Sequence, residues 1–250
     1  MSEVRIIGLE GLPEVHAGDD LPSLIAEASR ASATPIENGD VLVVTQKIVS
    51  KAEGRIVDLA TVTPSPWAEQ IAAKWEKDAR QVEVVLAETR RIVRMERGVM
   101  ICETHHGFVC ANAGVDASNV ERTGTVCLLP LDPDASARVI HDRLRDALGV
   151  GVAVIISDTF GRPWREGHVN FAVGAAGIAP LIDYAGQTDP AGYELRVTQM
   201  AVVDELAAAA ELVHGKLARV PVAIIRGASY DDAGGAVSEL IRPPERDLFR

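Results

Sequence analysis

Three short apolar runs constrain the fold of this chain more than any other feature. They are rich in β-branched residues and each ends in polar residues: VLVVTQK (41–47), VAVIISDT (152–159) and VAIIRG (222–227). Each run is too short and too β-branched for a helix, so each predicts a buried strand. VEVVL (82–86) and RIVRM (91–95) are two further strand candidates.

Helical patterns lie between these runs. Amphipathic spacing predicts helices over 21–31, 66–80, 134–148 and 200–215. The third has clear bounds, because Asp132 and Pro133 form an N-cap and first-turn pair and Gly149 follows the last turn. Thr198 is the predicted cap of the fourth helix.

The order of these elements predicts the fold class. Strands and helices are interspersed without a clean βαβ alternation, which indicates an α+β (mixed α/β) protein. The segments 96–130 and 160–198 show no strong period and are expected to be long and irregular. Irregular segments of that length are usually functional or contribute to an interface.

Charge and cysteine content narrow the class of partner. The net charge of -11 argues against nucleic acid, although a local basic cluster could still bind a small phosphorylated ligand. The three cysteines form no CxxC pair, so neither a disulfide framework nor a zinc site is indicated. The N-terminus resembles no signal peptide, and no apolar run reaches the ~20 residues of a membrane span. We therefore expect a cytoplasmic protein without a membrane segment.

Two pairs of oxygen-bearing residues are candidate metal ligands. Asp158 and Thr159 follow an apolar run and suit Mg²⁺ or Mn²⁺, although a carboxylate that caps the next turn is equally consistent with their position. Asp116 and Asn119 are three residues apart, so one helical turn would place them on the same face. For this second pair, a simple Asx-rich turn is the stronger interpretation from the residues alone.

Basic residues near these acids are candidate anion ligands. Lys47, Lys51 and Arg55 follow the first apolar run, where they form either an anion site or a solvated basic edge. Arg162 and Arg165 follow Asp158, where they would neutralise charge in phosphoryl transfer or form a structural salt-bridge loop. The common phosphate-binding loop motifs are absent. These residues together predict a metal-dependent phosphate-handling site built from several loops, without naming a substrate.

An ordered series of segments resembles a known family, the coenzyme F-420:L-glutamate ligases. The series comprises GLPEVHAGDDL (11–21), GDVLVVTQKIVSKAEGR (39–55), FVCANAGVDASNVE (108–121), ISDTFGRPWREGHVNFAVGAAGIAPLIDYAG (156–186) and VVDELAAAAELVHGKLARVPVAIIRG (202–227). The resemblance implies a GTP-dependent amide ligase. In this family the terminal carboxylate of the deazaflavin coenzyme F-420 precursor is phosphorylated, the amine of L-glutamate attacks the acyl phosphate, and further glutamates are added through γ-linkages.

The resemblance also implies an architecture. Family members have an α+β fold of their own with a mixed or antiparallel sheet, and they form an intertwined homodimer. We expect one ligase domain over residues 1–250, which two structural subdomains could share. Some relatives carry a fused C-terminal flavin-dependent reductase, so the chain is either a standalone ligase or one domain of a longer protein.

Site residues follow from the resemblance position by position. The divalent-metal ligands would be Asp116, Asp158 and Thr159, with Mg²⁺ or Mn²⁺ bound and a monovalent cation as a further cofactor. The GTP-binding positions would be Leu12, Pro13, Glu14, Val15, Gln46, Lys51 and Asn119, with Lys51 on phosphate. Arg162 and Arg165 as catalytic charge ligands are our inference and not a family property.

One position, Lys216, departs from the family pattern. Relatives often carry Glu or Gln where this chain has Lys216, a position associated with a second metal ion. Either Glu205 or Glu14 would complete that site, or Lys216 would itself supply the charge. The alternative functions are a phosphotransferase or ligase for another carboxylate and amine, and a non-catalytic GTP-binding module.

Overall fold

The computed structural model describes residues 3–117 and 123–247. The helices are α1 Leu21–Ala31, α2 Gln46–Ala52, α3 Pro66–Trp75, α4 Ala79–Ala87, α5 Pro133–Leu148 and α6 Val202–His214. The strands are β1 Arg5–Gly8, β2 Val41–Thr45, β3 Ile56–Asp58, β4 Thr89–Glu96, β5 Val99–Thr104, β6 Val109–Ala111, β7 Thr125–Cys127, β8 Ala153–Arg162, β9 Arg165–Ala176, β10 Ile182–Asp183, β11 Gln199–Met200 and β12 Val222–Arg226.

A five-stranded mixed sheet in the order β1-β12-β2-β8-β9 forms the centre of the fold. Strands β2 and β8 run parallel, with Thr45 opposite Ser157, and the other neighbours are antiparallel. The three β-branched runs are therefore the three middle strands, which confirms the prediction of buried strands. Mixed helices and sheets confirm the predicted α+β class.

Both faces of this sheet are apolar, which explains why its middle strands show continuous rather than alternating hydrophobicity. Successive side chains point to opposite faces. One face packs against α1 and α5 and carries Leu42, Val44, Val154, Ile156, Val222 and Ile224. The other face packs against α6 and carries Val41, Val43, Ala153, Ile155, Ala223 and Ile225.

A third apolar cluster lies away from the main sheet. It is formed by α3, α4 and the small sheets β4-β5-β6 and β3-β7, with Ile71, Val85, Met100 and Cys102 among its buried members. The strand predicted over 91–95 is confirmed as part of β4, whereas the strand predicted over 82–86 is wrong. That segment is α4, because Asp78 caps its first turn through the Arg80 N–H and its valines bury one helical face.

The helix predicted over 66–80 is broken into two. Glu76 adopts a left-handed conformation, with φ 51°, and ends α3, so the chain reverses before Asp78 starts α4. The helices predicted over 21–31 and 134–148 are confirmed, including the Asp132 cap, which accepts from the Ala135 N–H. Among the described residues, no helix is both long and apolar enough to cross a membrane.

Two further expectations are wrong. Neither segment expected to be irregular is so throughout, because β5, β6 and β7 lie within 96–130, and β8 and β9 form a long hairpin through the first part of 160–198. Thr198 does not cap α6. The helix begins at Val202 after Ala201, and the Thr198 carbonyl instead accepts a hydrogen bond from the Tyr184 N–H.

Candidate active site

A cavity of about 730 Å³ opens at the end of the main sheet where β2 finishes. Its lining comes from residues 12–15, the start of α2, residues 111–116, the second half of β8 and the loop between α6 and β12. The parallel pairing of β2 with β8 is what brings these parts together. Because Thr45 lies opposite Ser157, the next residues, Gln46 and Asp158, lie side by side at the level of the sheet where β2 ends.

Asp158 lies inside β8 and not at its end. The strand continues to Arg162 and pairs Asp158 with Phe171 of β9, so the alternative of a carboxylate that caps a turn is wrong. Burial raises the pKa of Asp158 to about 6. The charge of Asp116 adds to this rise in pKa, whereas the Thr159 N–H and the ammonium groups of Lys47 and Lys216 oppose it. Asp158 is therefore a carboxyl group that a bound cation would strongly stabilise in its ionised form.

Asp116 faces the same cavity from an extended segment. It forms an antiparallel bridge with Cys127, with backbone hydrogen bonds of 3.0 and 2.8 Å, so the backbone of Asp116 itself is extended. The helical turn predicted from Asp116 runs into residues outside those described and stays a prediction. The predicted partner of Asp116 on that turn, Asn119, lies outside the described residues. The Asp116 carboxylate accepts a 2.7 Å hydrogen bond from Lys47, which reaches it from α2.

The basic cluster after β2 is not a solvated edge. Lys51 is only 9% exposed and forms an ion pair with Glu14, which lowers the pKa of the Glu14 carboxyl group. Lys47 and Lys51 are one helical turn apart, so both line the cavity. Arg55 points elsewhere, to Glu88 and the Leu129 carbonyl at 2.8 and 2.9 Å.

The other predicted nucleotide positions lie on the same wall. Leu12, Pro13, Glu14 and Val15 all line the cavity. Gln46 also lines it and is 3% exposed, with its amide nitrogen donating to Ser50 Oγ at 2.5 Å and to the Leu128 carbonyl at 2.9 Å. Both amide protons of Gln46 are thus used within the protein, which holds its side chain in one orientation.

Thr159 belongs to a chain of polar contacts between β8, β9 and α6. Its hydroxyl lies 2.8 Å from Asn170 Oδ1, and Asn170 Nδ2 lies 3.0 Å from Glu211 Oε2. Lys216 Nζ approaches the same hydroxyl oxygen at 3.3 Å. The Thr159 side chain is therefore held by the protein on one side and approached by a cation on the other.

The two arginines expected at this centre do not reach it. Arg162 donates to the Glu166 carbonyl at 2.8 Å and closes the β8–β9 turn, and Arg165 is exposed on that turn. Neither is among the described residues that line the cavity, whereas Lys216 and Arg219 of the α6–β12 loop are. Arg219 has φ 55°, a strained backbone for this residue type. Lys216 was already a candidate from its family position, whereas the only sequence signal for Arg219 was a short basic stretch in an acidic chain.

Two buried polar side chains at the inner wall of the cavity lack hydrogen-bond partners among the described residues. They are Ser157, which is 2% exposed, and His214, which is 3% exposed and ends α6. The His214 ring approaches the Val43 backbone without a hydrogen bond of normal geometry, and burial lowers its pKa. Buried polar groups are normally paired, so these two side chains are exceptions beside the cavity.

The donor set fits a hard divalent cation that is completed by other ligands. Within residues 3–117 and 123–247, no group of three His, Cys, Asp or Glu side chains is positioned to hold a metal ion. Two carboxylates, from Asp116 and Asp158, and the Thr159 hydroxyl nevertheless share the cavity. Such oxygen donors suit Mg²⁺ or Mn²⁺, which commonly take waters and substrate phosphates for their remaining positions.

Comparison with known proteins assigns the chain to a family. The family model described as F420-0:Gamma-glutamyl ligase matches residues 11–227. The "Coenzyme F420:L-glutamate ligase" of Methanothermobacter thermautotrophicus is 48% identical over 250 residues, which cover 99% of each chain. The proteins with the same name from Methanocaldococcus jannaschii and Methanopyrus kandleri are 43% and 46% identical, over 99% and 100% of this chain and 97% and 100% of their own. The chain belongs to the F420-0:gamma-glutamyl ligase family.

Proposed function

We propose that this protein is a GTP-dependent ligase that joins L-glutamate to the terminal carboxylate of the deazaflavin coenzyme F420 precursor and then adds further γ-linked glutamates. Similarity over the full chain to relatives named for that ligation supports the overall reaction. One structural observation supports the phosphate chemistry. A single cavity gathers two acids, Asp116 and Asp158, with two lysines from α2.

The chemistry requires activation of the carboxylate. A free carboxylate is a poor acylating agent, so in the proposed reaction its oxygen attacks the γ-phosphorus of GTP and GDP leaves. The resulting acyl phosphate is attacked at carbon by the glutamate amine, which loses a proton, and inorganic phosphate leaves as the amide bond forms. Both steps concentrate negative charge at one point, which cations in the site must neutralise.

The proposed roles follow the placement of each residue. Asp116, Asp158 and Thr159 would hold Mg²⁺ or Mn²⁺, which supplies positive charge to the nucleotide phosphates. The nucleotide would contact Gln46, Lys51 and the segment 12–15, which line one wall. Asn119 is proposed to contact it as well, although it lies outside the described residues.

Several cations line the cavity and are candidates to neutralise negative charge on the transferring phosphoryl group. Lys47 and Lys51 reach the cavity from α2, and Lys216 and Arg219 reach it from the α6–β12 loop. No described residue forms an ion pair with either cation of that loop, so we propose that both meet substrate anions. The same role for Arg162 and Arg165 stays a prediction, because it would require the β8–β9 turn to bend toward the cavity.

A product assay tests the proposed function. The protein is incubated with the coenzyme precursor, GTP, L-glutamate and Mg²⁺ or Mn²⁺, and products are identified by mass spectrometry. We expect masses that increase by one glutamyl unit at a time, together with GDP and phosphate. Glutamylation of another carboxylate but not of this one would favour the alternative ligase. GTP binding without any phosphate release would favour a non-catalytic module.

Isotope transfer tests the acyl phosphate separately. If the precursor carries ¹⁸O in its terminal carboxylate, one labelled oxygen should appear in the released phosphate, because that oxygen bridges to phosphorus in the intermediate. Unlabelled phosphate with labelled amide product would exclude phosphorylation of the carboxylate. Substitution of ATP for GTP in the same assay measures the nucleotide preference.

Two further expectations remain proposals. A homodimer rests on the family resemblance, and Trp164 and Leu217, which are 82% and 92% exposed, are candidate contacts in it. Sedimentation analysis would show a dimer mass, and a monomer at enzyme concentrations well above the assay range would contradict it. A monovalent cation as cofactor predicts faster turnover in K⁺ or Na⁺ than in a bulky organic cation at equal ionic strength.

A further inference from the structure

Hydrogen bonds link Thr159 to Asn170 and Asn170 to Glu211, and the direction of each can be assigned from the chemistry of the groups. Asn170 is 3% exposed, and its two amide ends meet different partners, Thr159 Oγ1 at 2.8 Å and Glu211 Oε2 at 3.0 Å. The three side chains come from β8, β9 and α6, so the fold must assemble before the chain of contacts exists. These side-chain contacts are additional to the backbone hydrogen bonds that pair β8 with β9.

The chemistry of these groups determines the direction of every hydrogen bond. A carboxylate can only accept, so the Asn170 amide nitrogen must face Glu211. The Asn170 carbonyl oxygen therefore faces Thr159, and the Thr159 hydroxyl must donate to it. A hydroxyl has one proton, so the remaining lone pairs of Thr159 are left as acceptors. Lys216 Nζ lies 3.3 Å from that oxygen and can only donate.

We propose that Asn170 and Glu211 are positioning residues that keep the Thr159 hydroxyl as an acceptor toward the cavity, so that its oxygen is always available to a cation. The cation is a hard divalent ion or the Lys216 ammonium group. The inference rests on the proposed metal role of Thr159 and adds to it the reason why a neutral hydroxyl serves there. Residues behind a metal ligand commonly control its orientation and the affinity of the site.

A merely structural role for Asn170 makes a different prediction. If its hydrogen bonds only stabilised the packing of α6 on β9, changing it would lower the unfolding temperature and leave cation affinity unaltered. If it orients Thr159, a change without effect on net charge should weaken cation binding, because the hydroxyl proton is then free to turn into the cavity.

The experiment is a titration of the metal-free protein with Mn²⁺ alone, in which free Mn²⁺ is followed by electron paramagnetic resonance. Four proteins are compared: wild type, Thr159→Val, Asn170→Leu and the double variant Asn170→Asp with Glu211→Gln. All three variants keep the wild-type net charge. In the double variant the new carboxylate can accept from Thr159 and from the new amide, so the direction of the Thr159 hydrogen bond is restored.

We expect Thr159→Val and Asn170→Leu each to weaken Mn²⁺ binding by about tenfold or more, and the double variant to stay within about threefold of wild type. Thermal unfolding checks that each variant is folded. If Asn170→Leu does not fold, Asn170→Ala, which introduces no clash, carries the same expectation.

The remaining outcomes separate the positioning role of Asn170 from the proposed metal role of Thr159. Weaker binding in Thr159→Val with wild-type binding in the folded Asn170 variant would overturn the positioning role and leave the metal role of Thr159 intact. Wild-type binding in Thr159→Val would overturn the metal role itself. A double variant as weak as Asn170→Leu would show that hydrogen-bond direction is not what matters, and would overturn the inference.

Discussion

Lys47 donates a 2.7 Å hydrogen bond to Asp116, a residue 69 positions away in the chain. The contact joins α2 to the segment that follows β6, across the cavity that also contains Asp158. The same ammonium group lowers the pKa of Asp158, so one lysine acts on both acids of the proposed metal site. A cation that binds between these acids would therefore bind next to a fixed positive charge.

Removal of that charge should impair catalysis and alter its pH dependence. In Lys47→Gln the pKa of Asp158 should rise, because an opposing charge is lost, and phosphate charge would be less well neutralised. We expect kcat/KM to fall about 10- to 100-fold, and the acidic limb of the pH profile to move to higher pH. Phosphate release across a pH series measures both. Lys74→Gln, on the exposed side of α3, is the matched control, and equal kinetics in the two variants would contradict the assignment.

Asp158→Asn should abolish glutamylation and at the same time stabilise the metal-free protein at neutral pH. The pKa of Asp158 is raised from its usual 3.8 to about 6 in the folded protein, so protonation of Asp158 stabilises the folded state relative to the unfolded state. That stabilisation is full below about pH 4 and is lost as pH rises through about 6. Near pH 7.5 the buried charge costs at most ~3 kcal/mol, and the amide avoids this cost.

Urea unfolding in EDTA measures this effect. The variant should have the larger unfolding free energy at about pH 7.5, and its advantage should shrink toward about pH 4, where wild-type Asp158 is also neutral. A variant that is less stable than wild type at neutral pH would show that the carboxylate is held by favourable contacts and not strained by burial.

The α6–β12 loop and the β8–β9 turn offer two pairs of cations for the same role. We expect Lys216→Gln and Arg219→Gln each to lower kcat/KM by about tenfold or more, since each removes a charged contact to substrate. Arg162→Gln and Arg165→Gln are compared in the same assay, because both lie outside the described lining of the cavity. A larger loss in the arginines of the turn would indicate that this turn closes over the substrates during the reaction.

Gly174 tests how β9 is held against α5. A Cβ atom at this position would lie 2.3 Å from the Pro133 carbonyl oxygen, which is backbone at the start of a helix and cannot move aside easily. Gly174→Ala should therefore lower the unfolding free energy by about 1–3 kcal/mol. Gly161→Ala on the paired strand is the control, because its nearest neighbour is His168 at 4.0 Å. Equal urea midpoints for both variants would contradict this explanation.

Much of the fold was predictable where local pattern and local chemistry agree. The runs at 41–47, 152–159 and 222–227 are strands because β-branched residues fit a sheet that is buried on both faces. The helix over 134–148 was predictable to within a residue, because its cap and its terminal glycine lie directly beside its two ends in the sequence. The segment 82–86 was not, since a short valine-rich run satisfies either structure until its neighbours select one face.

The candidate site was likewise predictable only in part. Asp158, Thr159, Asp116 and Lys51 were identifiable as residue types suited to cations and phosphate, and family resemblance added the segment 12–15. That Asp158 lies within a strand, and that Arg219 faces the cavity whereas Arg162 closes a turn, depends on contacts between distant parts of the chain. Local sequence identifies which groups are available for chemistry. Tertiary structure selects among them, because only strand pairing and helix packing determine which side chains share a cavity and which way a hydrogen bond such as that of Thr159 points.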